Sequence, residues 1–143
     1  MDKATLLQQV AAMLEDDSLT EAITDKFENE RGGLGFLLNT LKRRPRTFSP
    51  YVFKGLSILG QPATLDVKTA ELVAVGAAAA LMCEHCLEAH INRAVAEGAT
   101  FEEVLDAILV AGAIAESSTL AVALRKFKQL ELKHNNHTSK ENA

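Results

Sequence analysis

Apolar residues recur at three- and four-residue intervals almost throughout this chain, and no run of alternating β-branched residues is long enough to argue for a strand. That period predicts an all-α protein. Residues 3–15 carry Leu6, Leu7, Val10, Met13 and Leu14 on one helical face, and a second amphipathic segment, from about Leu19 to Glu30, is stopped by Gly32-Gly33. Phe36 to Arg43 forms a short helix. Ser49 is a candidate N-cap with Pro50 in the first helical position, for a helix that carries Tyr51, Val52, Leu56 and Leu59 and ends at Gly60.

The second half is more apolar. Asp66 can cap a helix whose stretch from Leu72 to Met82 is hydrophobic on every side, which predicts a central position. A helix from about Glu84 to Glu97 turns Leu87, Ile91, Ala94 and Val95 inward and stops at Gly98. Thr100 and Glu103 make a capping box for a helix to about Ala115, and Ser117 or Ser118 starts a last one with Leu120, Val122, Leu124, Phe127 and Leu130. The expected layout is one domain: an N-terminal helical segment (1–60), a helical core (61–132) and a polar tail (133–143) expected to be disordered.

Composition agrees with a single globular domain: 143 residues, 15.4 kDa, 48% hydrophobic and 24% charged. A net charge of -4 offers nucleic acid no footprint. The basic run Lys42-Arg43-Arg44-Pro45-Arg46 reads as a solvated helix end or a subunit contact, and Phe36, Phe48, Tyr51 and Phe53 as core or subunit contact. The start, Met1-Asp2-Lys3-Ala4, lacks a targeting pattern, and the longest unbroken apolar run, Leu72 to Met82, falls short of the roughly 20 residues a bilayer needs. The expectation is a cytoplasmic protein with no membrane and no nucleic-acid partner.

Both cysteines fall in one eight-residue stretch, Cys83-Glu84-His85-Cys86-Leu87-Glu88-Ala89-His90. In a reducing compartment such a pair is redox-active or metal-binding rather than a staple. On a helix, Cys83, Cys86 and His90 share a face while His85 points aside. Cysteines three apart have α-carbons about 5 Å from each other, within disulfide range, so the pair can oxidise and reduce without unfolding. First-turn N–H groups and the helix dipole lower a thiol pKa from about 8.5 towards neutrality. Glu71, roughly three helical turns before Cys83, can reach His90 from the preceding helix and hand protons between His90, water and a thiol.

These residues resemble the carboxymuconolactone decarboxylase superfamily in its alkylhydroperoxidase-like (AhpD-like) branch. The pattern is Glu, eleven residues, Cys-x-His-Cys, three residues, His, and it reads here Glu71, Cys83, His85, Cys86, His90. The likeness covers about Leu65 to Leu130, while residues 1–60 resemble the family only loosely. It implies a single-repeat AhpD-like helical domain that oligomerises through helix packing, as a homo-oligomer and favourably a hexamer built as a trimer of dimers. It also implies a peroxidase: Cys86 attacks the O–O bond, Cys83 closes the disulfide, and Glu71, His85 and His90 manage protons. No bound cofactor or metal is implied; an external dithiol, lipoyl-type group or reducing protein reopens the disulfide.

Position alone favours Cys83 as nucleophile, nearer the helix start; His90, four residues after Cys86, tips the choice to Cys86. Two departures touch the pocket mouth: Met82 where a small residue often precedes the first cysteine, and Glu116-Ser117-Ser118 in place of a glycine-rich stretch. The competing readings are a zinc site using Cys83, Cys86 and His90 with Glu71 or His85, a non-enzymatic oligomer with inert cysteines, and acid-base chemistry of the decarboxylase kind.

Overall fold

The computed structural model describes residues 2–141, with side chains described for residues 2–135. Among these every regular element is helical, as the apolar period predicts. The chain divides into two compact units, Met1–Ala63 and Thr64–Ala143.

In the first unit, α1 (Lys3–Glu15) starts where the Asp2 carboxylate accepts the amides of Ala4 and Thr5, and α2 (Asp17–Arg31) ends at Gly32 in the left-handed conformation. α3 (Gly35–Leu41) and α4 (Pro45–Gly55) follow, and a π-helical turn (Leu56–Gly60) closes with the Gln61 N–H donating to the Leu56 carbonyl. Ile23, Phe27, Leu34, Phe48 and Val52 form its core, with Leu19, Leu38, Leu41 and Leu56 packed around them. Of the four aromatics, Phe48 alone is buried. Within the basic run, Arg46 pairs with Glu15 at 2.8 Å on the surface, a contact worth little in water.

The expected start of α4 is wrong by one turn. Pro45, not Pro50, occupies the first helical position, and Ser49 is fully buried inside the helix rather than capping it. Either proline satisfies the local rule, but only a start at Pro45 lets Phe48 and Val52 reach the core from one helical face.

The second unit is a hairpin of α5 (Val67–Ala80) and α6 (Glu84–Ala96), with α7 (Phe101–Glu141) against α5. Asp66 caps α5 by accepting the Thr69 amide at 2.8 Å. Thr100 and Glu103 form the expected box: the Glu103 amide donates to the Thr100 hydroxyl at 3.1 Å and the Thr100 amide to the Glu103 carboxylate at 2.7 Å. The packing uses small side chains, with Ala70, Val75, Ala78, Ala94, Ala99 and Val104 buried. A Cβ on Gly76 would lie 3.3 Å from the Ala107 carbonyl oxygen, so α5 and α7 approach each other almost backbone to backbone.

Two expectations fail in this unit. Within the chain α5 is buried on one side only, since Val73 and Leu81 are largely exposed. The two expected helices after Thr100 are a single one, because the Ser117 and Thr119 hydroxyls donate back to the carbonyls of Ile114 and Ala115 instead of capping a new start. Residues 101–135 of α7 are long and apolar enough to cross a membrane by length and composition alone, a possibility that a search for unbroken apolar runs overlooks. Part of the expected tail, residues 142–143, lies outside the described residues.

Candidate active site

The cysteines owe their placement to the turn that ends α5. Met82 adopts φ +53°, the Cys83 N–H donates to the Ala78 carbonyl at 3.0 Å and the Met82 N–H to Ala79 at 3.0 Å, which is a Schellman closure. Glycine normally occupies this left-handed position; here a methionine does, with its side chain almost wholly in solvent. The turn hands the chain directly to α6. Cys83 is the N-cap residue and Cys86 lies in the first turn, among amides that no helical carbonyl accepts.

Cys83 and Cys86 are joined as a disulfide with a Cα–Cα distance of 5.3 Å. Both are half-buried rather than sealed. His85 points away and is exposed, and among the described residues its side chain makes no hydrogen bond or ion pair.

One turn further along α6, His90 meets Glu71 from α5. The His90 Nδ1 and Glu71 Oε2 atoms are 2.6 Å apart, and both side chains are largely withdrawn from solvent. Burial pushes the Glu71 carboxyl up, but the His90 hydrogen bond and the Arg93 charge outweigh it and hold the group below the ordinary carboxylate range. Glu71 is therefore an ion at neutral pH despite being 3% exposed.

Arg93 completes the cluster. Its Nε lies 3.2 Å from Glu71 Oε1, and its Nη2 lies 2.7 Å from His90 Nδ1. Sequence reasoning missed this residue, although its position three residues after His90 puts it on the same face and was available as a signal. The site thus has two parts on neighbouring turns, a dithiol/disulfide at the start of α6 and a buried Glu71–His90–Arg93 cluster behind it. Among the described residues, no group of three or more His, Cys, Asp or Glu side chains is arranged to hold a metal ion. Two surface hollows, one lined by Thr40, Arg43 and Arg44 and an apolar one between α5 and α7, include none of these residues.

The model of the carboxymuconolactone decarboxylase family matches residues 46–129, which contain every residue of this cluster. The chain belongs to that family. The match begins inside α4, earlier than the Leu65 at which the sequence likeness was placed. The chain is 36% identical over 67 residues to "Uncharacterized protein 4 in cox locus" of Paracoccus denitrificans, covering 47% of this chain and 60% of that protein. It is 39% identical over 59 residues to the alkyl hydroperoxide reductase AhpD of Corynebacterium aurimucosum, covering 41% of this chain and 33% of that protein. The chain thus covers less than two thirds of either relative's length. No solved structure matches it at a significant level.

Proposed function

We propose that this member of the carboxymuconolactone decarboxylase family is a thiol-dependent oxidoreductase that reduces a hydroperoxide through Cys83 and Cys86. The observation that carries the reading is a disulfide across the first turn of α6, backed one turn on by a buried carboxylate–imidazole pair. The AhpD likeness supports the same chemistry.

In the reduced protein, first-turn amides and the helix dipole favour a thiolate at Cys86. That thiolate attacks one peroxide oxygen, the O–O bond breaks, and the departing alkoxide takes a proton to leave as the alcohol; Cys86 is then a sulfenic acid. The Cys83 sulfur attacks it, water leaves, and the disulfide closes. Two electrons have passed from the thiols to the peroxide. A dithiol, lipoyl-type or protein reductant returns them by exchange. Glu71 and His90 supply and collect the protons; His85, on the exposed side, has the freedom to serve the incoming substrate or reductant.

The reading extends to assembly. Leu109, Val110 and Ile114 on α7 are each at least 60% exposed in the single chain, and water is a poor partner for such a row. Helix packing between copies, favourably in a hexamer, would cover them.

Thiol titration tests the chemistry. Reduced protein should lose two thiols on one equivalent of hydroperoxide and regain them with a dithiol. Thiols indifferent to peroxide, or zinc bound in stoichiometric amount and surviving dialysis, would overturn the proposal.

A further inference from the structure

Arg93 reaches Glu71 and His90 at once, and it reaches them in different ways. Its Nε stands 3.2 Å from Glu71 Oε1, a charge contact with one oxygen of the carboxylate. Its Nη2 stands 2.7 Å from Nδ1 and 3.4 Å from Nε2 of the His90 ring. An atom that near to both ring nitrogens lies over the face of the imidazole, since one placed on the Nδ1 lone pair in the ring plane would be much further from Nε2. The guanidinium is therefore a flat cation laid across the ring, a contact that suits its planar shape and not a compact ammonium.

The in-plane position at Nδ1 is left to Glu71 Oε2, at 2.6 Å. An ionised carboxylate can only accept, so a neutral ring carries its proton on Nδ1 and keeps the lone pair on Nε2. The two oxygens of Glu71 are thus held separately, Oε1 by Arg93 and Oε2 by His90, which fixes the plane of the carboxylate.

We propose that Arg93 is a positioning residue: by gripping Glu71 Oε1 and lying across the His90 ring, it keeps carboxylate and imidazole aligned, so that Nε2 is the ring nitrogen offered for proton exchange. The inference rests on the thiol-oxidoreductase reading for its use, since the protons exchanged are those of the thiols and the departing alkoxide. The clamp acts through Glu71. The charges that bear on this carboxylate are those of Arg93 and His90, both from α6, while Lys68 on its own helix is engaged by Glu103 of α7 at 2.8 Å.

Carbon-13 NMR of the Glu71 carboxyl in the disulfide form follows its titration without any peroxide. In Arg93→Met the midpoint should rise, because a cation that favours the ionised form is gone; Arg93→Lys, which keeps a charge, should bring it back part way. The acid limb of thiol loss to a hydroperoxide, followed against pH on the reduced protein, should move up with the midpoint, because Glu71 must be ionised to hold Nδ1–H. An unmoved midpoint in Arg93→Met, or an acid limb that stays put while the midpoint moves, sinks the role given to Arg93. If the methionine variant does not fold, Arg93→Gln, uncharged and shorter, carries the same expectation and the same criterion. The redox reading fails separately: wild-type thiols inert to hydroperoxide sink the oxidoreductase, and the Glu71 titration still decides whether the clamp exists.

Discussion

At the scale of single residues, Glu71 carries the largest electrostatic stake. A carboxylate at 3% exposure is tolerated because His90 and Arg93 surround it. Its folded pKa lies below the unfolded value of 4.5, so its stabilising contribution is in place above about that pH and is lost as pH falls through the lower, folded value. Glu71→Gln should therefore lower stability at pH 7 by about 1–3 kcal/mol, for loss of the charged partner of a buried cluster. Urea denaturation at pH 7 and again in mild acid checks this: the gap between wild type and variant should narrow in acid, and a constant gap would show that the charge is not what matters. Cys83, Cys86 and His90 were readable from spacing, because helical periodicity converts sequence offset into a shared face, and Glu71 from the need of its apolar helix to fold against the next. Arg93 obeys the same periodicity, but an arginine on an amphipathic helix usually means a solvated edge, so spacing alone does not single it out.

At the scale of elements, capping rules place helix starts well where the cap is local. Asp66 and the Thr100–Glu103 box sit where side-chain chemistry puts them; the Glu103 carboxyl is drawn down to about 2 by the Lys68 hydrogen bond and the Thr100 amide. Signals fail where two are present and packing chooses between them, as at Pro45 against Pro50, or where a hydroxyl has an alternative acceptor, as at Ser117. The turn from α5 to α6 is more demanding, since it sets the first cysteine and requires a left-handed residue that methionine fills at a cost. Met82→Gly should stabilise the protein by about 1 kcal/mol, measured by thermal or urea unfolding, because glycine adopts that backbone region without steric penalty. A destabilised variant would mean that the exposed Met82 side chain has a partner outside the single chain.

For the whole molecule, the uncovered apolar surface is the dominant fact. No residue of α1 is buried, and α7 exposes Leu105, Leu109, Val110, Ile114, Val122 and Phe127. Light scattering without detergent should give a mass several times the 15.4 kDa of the chain, six times it if the favoured hexamer holds. A monodisperse monomer would sink the assembly reading, and a protein that disperses only in detergent would assign α7 to a bilayer instead.

The sequence by itself determined the helical class, most helix ends and the closeness of Cys83, Cys86 and His90 along α6, because these follow from interactions within a few residues of each other. Only the tertiary structure decided that Glu71 is an ion held by two partners, that Arg93 touches both it and His90, and that α7 runs unbroken. Each of these depends on groups brought together from separate helices or on competition between acceptors, and neither is encoded in local spacing.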